Sequence, residues 1–417
     1  MKKIIAVLMA VALLSGCGLI DRFTPTENKE FEEYVLENNE DTQSSENDDS
    51  KDKEEKVEKT AEEIKEDYID EFMSKMTLEE KVGQMFMVAW RKDSNDNGIT
   101  AVNDLISKDI ENIKPGGVIL FGENIDTEEQ TKEYIENLQS ISDIPLFMGI
   151  DEEGGRVSRL HQSGKINTPN IPTAQYMAEN GRPSDAENNM SIIANEIKKL
   201  GFNVDFAPVA DINTNPENTV IGDRAFGSDT ETVSEFVVSA VKGLQKNNVV
   251  ACVKHFPGHG DTYTDTHNTE TFVNHDMARL ESCELVPFKS AIENGVDFVM
   301  VSHIKVPNVD DSGLPSSLSK SIVTGILRDY LGFEGIVITD ALDMGAISEY
   351  YTPEEVAKYA LDAGVDIFLM PDDTYKMYDY IVNSVKNGEI SQKRIDQSVE
   401  RILNEKYDIG LINIENK

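Results

Sequence analysis

The 417-residue sequence predicts an α/β fold built on a parallel sheet. Short runs of nearly continuous apolar residues recur along the chain, and amphipathic helical stretches separate them. Continuous apolar runs are typical of parallel strands covered on both faces, whereas strands with one solvated face alternate polar and apolar residues. Because a strand and a helix repeat eight times, the sequence predicts a single TIM (β/α)8 barrel with elaborated βα loops.

The eight predicted strands are MFMVAW (85–90), GGVILFG (116–122), PLFMGID (145–151), VDFAPVADI (204–212), VVACVKHF (249–256), FVMVSH (298–303), GIVITDAL (335–342) and VDIFLMP (365–371). Before them, AEEIKEDYIDEFMSKM and LEEKVGQM predict helices, with Thr77 as the N-cap of the second. A doubly wound open sheet is the alternative architecture. It is disfavoured because no G-x-G-x-x-G motif follows the first strand.

The first residues predict an export signal rather than part of the barrel. Lys2 and Lys3 precede an apolar run over residues 4–14, which is short for a membrane span. The sequence Leu-Ser-Gly-Cys that ends at Cys17 resembles the bacterial lipobox, in which the cysteine is lipidated. We therefore expect a lipoprotein signal peptide over 1–16 and a lipid anchor at Cys17; an ordinary signal peptide is the alternative.

An acidic segment follows the predicted anchor. Residues 21–70 contain 20 Asp and Glu against 7 Lys and Arg, and large apolar side chains are rare. This composition predicts a disordered tether over 17–65 and a barrel domain over 66–417, although helical structure is an alternative from about residue 60. The net charge of −38 argues against nucleic acid as a partner. Through Cys17, a lipid bilayer is an expected partner.

Two cysteines remain after the predicted processing. Cys252 lies in a predicted strand and Cys283 in a helical pattern. Two buried thiols are expected, and a disulfide between them is the alternative.

Polar residues repeatedly follow the predicted strands at the end where barrel active sites lie. One such residue is often only a helix cap, but several at one rim predict a site. The residues at these strand ends are Asp151, Asp211, Lys254, His255, His303, Asp340 and the segment 371–373.

The loop after the fifth strand, KHFPGHGDTYTDTH (254–267), holds three of the six histidines. A metal site is one interpretation, but the first strand ends in Trp-Arg-Lys and offers no further ligands, so no metal and no cofactor are expected. A hydrogen-bonded structural loop is a second. In the third, Asp265 fixes the tautomer of His267 and raises its basicity, so that His267 exchanges protons with a substrate. Asp340 is then the candidate nucleophile of a retaining glycosidase.

Cations also gather at the strand ends of this acidic chain: Arg156, Arg159, Arg224 and Lys254. Together they predict a pocket that binds hydroxyl, carbonyl or anionic groups. Local ion pairing with neighbouring acids is the alternative for each of them.

The sequence resembles the β-N-acetylhexosaminidase branch of glycoside hydrolase family 3 from about residue 76 to 411. The segments that carry the resemblance are MTLEEKVGQMF, GIDEEGGRVSRL, NPENTVIGDRAFG, KHFPGHGDTYTDTH, GIVITDALDMGAI and RIDQSVERILNEKYDIGL. The fourth is the most specific, because it distinguishes this branch from the β-glucosidases of the same family.

The resemblance implies a role for each matching residue. It makes Asp340 the nucleophile, His267 the acid/base residue and Asp265 its partner. It also makes Asp151, Arg159, Arg224, Lys254 and His255 the substrate-binding residues.

The resemblance further implies double displacement without a metal, on terminal β-linked N-acetylglucosamine of cell-wall fragments, with phosphate as an acceptor beside water. A β-glucosidase and a non-catalytic sugar-binding lipoprotein are the alternative functions.

Overall fold

The computed structural model describes residues 59–263 and 270–413. The predicted signal peptide, Cys17 and almost all of the predicted tether lie outside these residues. The globular unit begins at Thr60, the N-cap of the first helix, so the last six residues of the segment predicted as a tether belong to it. Within the described ranges no helix has the length and apolar character that a bilayer span requires.

Eight parallel strands form the central sheet, in the order β11-β9-β7-β6-β3-β2-β1-β12. These strands are β1 (Phe86–Val88), β2 (Gly117–Ile119), β3 (Phe147–Ile150), β6 (Val204–Asp205), β7 (Val250–Phe256), β9 (Phe298–Val301), β11 (Ile336–Thr339) and β12 (Phe368–Leu369). A parallel bridge between Ile338 and Ile367 joins the two outer strands. The barrel prediction is thereby confirmed with all eight strands, and the open doubly wound alternative is wrong.

Two additional pairs of short strands lie outside the barrel sheet. Strands β4 (Glu152–Gly154) and β5 (Val157–Ser158) are antiparallel and follow β3 directly. Strands β8 (Thr271–Phe272) and β10 (Ile304–Lys305) are parallel, and β10 follows β9. Because both pairs continue from the carboxyl ends of barrel strands, they build up the rim where a TIM barrel carries its active site.

The helices cover the outside of the barrel, as the amphipathic stretches predict. They are α1 (Ala61–Lys75), α2 (Leu78–Gln84), α3 (Asp104–Ile113), α4 (Glu128–Ser140), α5 (Arg159–Ser163), α6 (Ala174–Asn180), α7 (Pro183–Lys199), α8 (Thr230–Gln245), α9 (Met277–Ser282), α10 (Leu285–Glu293), α11 (Gly345–Ser348), α12 (Pro353–Ala363), α13 (Thr374–Lys386) and α14 (Gln392–Asp408). A wider helical segment with π-type hydrogen bonding spans Ser321–Tyr330. Thr77 caps α2 as predicted, since its hydroxyl accepts from the backbone N–H of Glu80.

The barrel interior is filled by large side chains from facing strands. The rings of Phe147 and Phe298 meet edge to face, with centroids 5.5 Å apart. A Cβ at Gly149 would lie 2.5 Å from Cε of Met87 and 2.8 Å from Cε2 of Phe206, so this glycine leaves room for both side chains. This dense packing makes the barrel a rigid frame for the loops at its rim.

Helix α14 lies across the amino-terminal end of the barrel. Lys406 of this helix is fully buried and donates to Oε1 of Gln84, just before β1, over 2.7 Å. Its ammonium group also lies 5.1 Å from the centre of the Phe147 ring, at the start of β3. Ser398 donates to Asp366, just before β12, over 2.6 Å. The helix therefore closes the end of the barrel opposite the rim.

The two described cysteines are both free thiols. Cys252 is fully buried in β7, as predicted, whereas Cys283 is half-buried. The alternative of a disulfide between them is wrong.

Candidate active site

Asp340 directly follows β11 at the carboxyl end of the barrel. Its backbone N–H donates to the carbonyl of Val301 over 2.9 Å, which ties it to β9. Its Oδ1 accepts from the N–H of Ala341 over 2.8 Å, and this contact orients the carboxylate. The side chain is half-buried, so a substrate can approach it.

His303, at the end of β9, supports the loop that carries Asp340. Its Nε2 lies 2.9 Å from the carbonyl oxygen of Ala341, and its Nδ1 lies 2.7 Å from Oγ of Ser317. A carbonyl only accepts, so Nε2 carries the proton and the Ser317 hydroxyl donates to Nδ1. Both ring nitrogens of this buried histidine are therefore used, which makes it a structural residue rather than a proton carrier.

Lys254, near the end of β7, lies between two carboxylates. Its ammonium group is 2.8 Å from Oδ1 of Asp151 and 2.7 Å from Oε1 of Glu153, and its side chain is 3% exposed. Burial alone would lower the pKa of Lys254, but the two carboxylates raise it above its usual value. The lysine is therefore a permanent cation within the rim.

Two arginines complete this cluster. Arg224 makes a bidentate contact with Glu153, with both N–O distances at 2.8 Å, and Arg159 donates to Oδ2 of Asp151 over 3.2 Å. Although burial favours the neutral acids, Lys254 and the arginines hold the pKa values of both carboxyl groups below their usual range. Both acids are therefore ionised, and the charges of the cluster largely compensate one another.

Asp211 organises the start of the loop after β7. Its carboxylate is completely buried and lies 2.7 Å from Nδ1 of His255. It also accepts from the backbone N–H of His259 over 2.6 Å. Burial opposes ionisation, yet the two histidines keep the pKa of Asp211 below its usual value. Because the carboxylate accepts at Nδ1, Nε2 of His255 is an acceptor toward Arg224, which lies 3.4 Å away.

The Gly-His-Gly portion of the loop packs directly on backbone. A Cβ at Gly260 would lie 1.9 Å from the carbonyl oxygen of Ile212, so only glycine fits there. Asn218 donates to the carbonyl of His259 over 2.8 Å, and Thr262 lies 2.8 Å from Nδ1 of the same histidine. His259 is thus fixed as part of the loop.

The comparisons with known proteins assign this arrangement to a family. The family described as "Glycosyl hydrolase family 3 N terminal domain" matches residues 77–405. The chain belongs to glycosyl hydrolase family 3. The family predicted from the sequence motifs is therefore confirmed, and with it the class of glycoside hydrolases.

Individual relatives carry the names of the predicted branch. The family 3 chain is 32% identical to "Beta-hexosaminidase A" of Pseudoalteromonas piscicida over 362 residues, which are 78% of this chain and 60% of that protein. It is 34% identical to "Beta-hexosaminidase LpqI" of Mycobacterium tuberculosis over 301 residues, which are 70% and 76% of the two chains.

Among solved structures, a family 3 β-N-acetylglucosaminidase from Paenibacillus sp. str. FPU-7 matches with a TM-score of 0.76 and 37% identity, over 82% of this chain and 65% of that one. The chain thus spans less than two thirds of the Pseudoalteromonas and Paenibacillus proteins.

The family 3 barrel brings together all five predicted substrate-binding residues. Glu153 joins their polar contacts into one connected set, which comprises Asp151, Arg159, Arg224, Lys254 and His255. Asp340 lies on the same rim, because β7 and β11 both flank β9. The predicted dyad of Asp265 and His267 lies outside the described residues, so its geometry stays a prediction.

The sequence patterns assign no substrate-binding role to two acids of the site, and they overestimate one cation. Glu153 lies two residues after Asp151 and contacts both Arg224 and Lys254. Asp211 lies at the end of a predicted strand, and the structure shows that it organises the loop after β7. Arg156 instead donates to Asp223 over 2.8 Å and to backbone carbonyls, so local ion pairing describes it correctly. The paired Glu-Glu after Asp151 was the available signal for Glu153.

The chemistry of the cluster suits a neutral polyol. Asp151 and Glu153 accept hydrogen bonds from hydroxyl groups, whereas Lys254 and Arg159 donate to hydroxyl or carbonyl oxygens. Two carboxylates offset most of the charge of the three cations, so hydroxyl and carbonyl groups find both donors and acceptors in the cluster. Across the described residues, His, Cys, Asp and Glu side chains form no group of three or more that could hold a metal ion.

Proposed function

We propose that the protein is a retaining exo-β-N-acetylglucosaminidase that removes terminal β-linked N-acetylglucosamine from cell-wall fragments. The observation that carries the proposal is the position of Asp340 on the same barrel rim as the cluster of Asp151, Glu153, Lys254 and Arg224. A carboxylate nucleophile on the same rim as a site for sugar hydroxyls provides one of the two groups that a retaining glycosidase requires, and the acid/base group is the other. The names of the family 3 relatives support N-acetylglucosamine as the sugar.

In the first step, Asp340 attacks the anomeric carbon while His267 donates a proton to the glycosidic oxygen. The bond from the anomeric carbon to that oxygen breaks, the aglycone leaves as an alcohol, and the sugar becomes an ester of Asp340. Asp265 holds the imidazole in the tautomer that donates. Lys254 and Asp151 hold the sugar hydroxyls during this displacement.

In the second step, water attacks the anomeric carbon from the face that the aglycone left. His267 takes a proton from the water, the bond to Asp340 breaks, and the sugar is released with its original β configuration. Inorganic phosphate is an alternative acceptor, since a neutral imidazole repels an anion less than a carboxylate does.

The activity test compares purified wild-type protein with Asp340→Ala and His267→Ala on chromogenic β-N-acetylglucosaminides. Both variants should lose at least about 1,000-fold in kcat, and EDTA should have no effect on the wild type. Asp311→Asn, at an exposed acid in the loop that follows β10, is the control and should stay active. Full activity of Asp340→Ala would overturn the mechanism.

The substrate test follows the products from purified muropeptides, with and without phosphate. Release of free N-acetylglucosamine, or of its 1-phosphate, supports the proposal. Faster turnover of β-glucosides than of β-N-acetylglucosaminides would favour the β-glucosidase alternative. Sugar binding without any hydrolysis would favour a non-catalytic lipoprotein.

We also propose that Cys17 carries a lipid and anchors the enzyme outside the cytoplasmic membrane. The lipobox-like sequence before Cys17 and the acidic segment after it support this proposal. The Cys17→Ala variant should move from the membrane fraction to the medium and keep its specific activity. Continued membrane association of this variant would contradict the anchor.

A further inference from the structure

The hairpin that follows β3 contains three consecutive acids, and the middle one differs from its neighbours. Asp151 and Glu153 both contact the ammonium group of Lys254. Glu152, between them, is 5% exposed, and its side chain points instead toward helix α5, which begins at Arg159. The middle acid therefore has a task separate from that of the charged cluster.

Both carboxylate oxygens of Glu152 accept hydrogen bonds from the start of α5. Oε2 accepts from the backbone N–H groups of Arg159 over 2.7 Å and of Leu160 over 3.0 Å. Oε1 accepts from the hydroxyl of Ser158, which in turn caps the helix by accepting from the N–H of His161 over 3.2 Å. Because the first N–H groups of a helix lack partners within it, these contacts fix the first turn of α5.

The backbone of Glu152 is attached to the barrel sheet. Its N–H donates over 2.9 Å to Oδ1 of Asp205, a completely buried residue of β6. Glu152 is therefore held by the barrel through its backbone, and it holds α5 through its side chain. This residue thus connects the rigid sheet with the helix that begins at Arg159.

The contacts of Glu152 do not depend on its charge. Burial raises the pKa of its carboxyl group, although Ser158 and the two N–H groups act in the opposite direction. Oε2 accepts from N–H groups in either state, and the hydroxyl of Ser158 donates to an ionised Oε1 or accepts from a protonated one. The first turn of α5 is therefore held in both states.

We propose that Glu152 is a positioning residue that directs the guanidinium group of Arg159 toward the sugar. This inference rests on the proposed function. The guanidinium contacts Asp151 at 3.2 Å and lies 5.5 Å from the centre of the Phe121 ring, yet the side chain is 32% exposed. Its direction therefore depends on the backbone from which it extends, and Glu152 fixes that backbone. A displacement of about 1 Å is enough to cost a positioned group most of its contribution.

The Glu152→Leu variant should bind the sugar weakly and still perform the chemical steps. In the proposed function, Arg159 contacts the sugar before and during the reaction, so its displacement weakens binding of the ground state and the transition state alike. We expect KM for a chromogenic β-N-acetylglucosaminide to rise about 10- to 30-fold, while kcat changes less than about 3-fold. Calorimetric titration with N-acetylglucosamine should show the same loss of affinity.

Two conservative variants separate the shape of residue 152 from its charge. Glu152→Gln keeps a carbonyl oxygen for the two N–H groups and gains an amide that donates to Ser158, so KM should stay within about 3-fold of the wild type. Glu152→Asp keeps the charge, but its carboxylate is one methylene shorter and does not reach α5. It should show most of the Glu152→Leu defect. The opposite order of these two variants would contradict the proposal.

A double variant tests whether Glu152 acts through Arg159. Arg159→Ala should raise KM at least as much as Glu152→Leu does. Glu152→Leu/Arg159→Ala should then be no worse than Arg159→Ala, because the side chain that Glu152 positions is already absent. Additive losses would show that Glu152 affects the sugar by another route, which would overturn the positioning role.

The stability control is Asp297→Ala. Asp297 is also a buried acid whose carboxylate accepts from a backbone N–H, that of Ala251 over 3.2 Å, but it precedes β9 at the amino-terminal end of the barrel. This variant should lose thermal stability with an unchanged KM. If Glu152→Leu does not fold, Ser158→Ala is the milder variant, and it should raise KM about 3-fold without changing kcat.

The outcomes distinguish this inference from the proposed function. An unchanged KM in Glu152→Leu, or in both Glu152→Asp and Ser158→Ala, would overturn the positioning role, as would a fall in kcat alone. Full activity of Asp340→Ala would instead overturn the proposed function itself.

Discussion

Nδ1 of His255 lies 2.7 Å from the completely buried Oδ2 of Asp211, and this contact decides which ring nitrogen faces the substrate side. The same carboxylate also accepts from the backbone N–H of His259. Asp211 therefore fixes one side chain and the path of the loop that carries it. A single buried acid thus links β6 to the loop after β7.

The Asp211→Asn variant should lose about 2 kcal/mol of stability at pH 7, because a charged acceptor is replaced by a group that cannot accept from all these donors. The pKa of Asp211 is lowered by folding, so its contribution is complete above the unfolded-state value of about 4 and disappears as the pH falls through the lower folded-state pKa. Urea unfolding of both proteins between pH 2 and pH 7, roughly the range of carboxyl titration, measures this difference. An equal difference at every pH would contradict the electrostatic explanation.

Replacement of Lys254 by methionine should destabilise the protein by about 3–5 kcal/mol at pH 7, because Asp151 and Glu153 would then face each other in a buried position. Binding of N-acetylglucosamine should be lost as well. Lys114 provides the control, since it also lies between two acids, Glu80 and Asp143, but at the surface. Lys114→Met should lose less than about 1 kcal/mol. Thermal unfolding and calorimetric sugar binding measure both effects, and similar losses in the two variants would refute the importance of burial.

Alanine at position 260 should damage the loop after β7, because its Cβ would collide with the carbonyl oxygen of Ile212. We expect a loss of about 2–4 kcal/mol and a strong loss of activity, since the overlap involves backbone on both sides. Gly122→Ala is the matched control at the same rim, where nothing lies within 4 Å of an added Cβ. It should keep wild-type activity and melting temperature. A Gly260→Ala protein that behaves like Gly122→Ala would show that the loop can shift freely.

Lys406 should make the stability of the protein increase with pH between about 7 and 10.5. Burial lowers its pKa from 10.5 to about 7, so the unfolded chain binds a proton that the folded protein releases between these values. Stability contributed at this site therefore rises with pH across that window, by at most about 1.4 kcal/mol per pH unit. Subtracting the unfolding free energies of Lys406→Met from those of the wild type isolates this dependence. A flat difference between pH 7 and pH 10 would show that Lys406 stays charged in the barrel.

The fold was predictable because each barrel strand has its own run of apolar residues in the sequence. Val337 and Ile338, for example, are successive strand residues on opposite faces of the sheet, and both are buried. A strand that is covered on both faces therefore appears in the sequence as a continuous apolar run. The short pairs β4–β5 and β8–β10 were not predicted, because strands of two or three residues are too short to show a periodic pattern in the sequence. The position of α14 across the end of the barrel was not predicted either. An amphipathic pattern predicts which face of a helix is buried, but not which element that face packs against.

The site was predictable where residue type and strand end coincide, as for Lys254 and Asp340. Its internal contacts were not, because they join residues distant in sequence. The bidentate contact of Arg224 with Glu153 and the contact of Asp211 with His255 depend on how separate loops meet. Chemical type alone could not decide that Arg156 pairs with Asp223 while Arg224 joins the site.

Strand β1, the first of the eight barrel strands, pairs with β2 and with β12, the last of them. During synthesis, β1 therefore lacks its second neighbour until all the other barrel strands have been made. Helix α14, which covers the amino-terminal end of the barrel, follows later still. The barrel therefore stays open until its eighth strand has been made, since neither the ring of strands nor its covering helix can be completed earlier. For a precursor that carries an export signal, as proposed here, late ring closure keeps the chain loose enough to be threaded through a membrane pore before it folds.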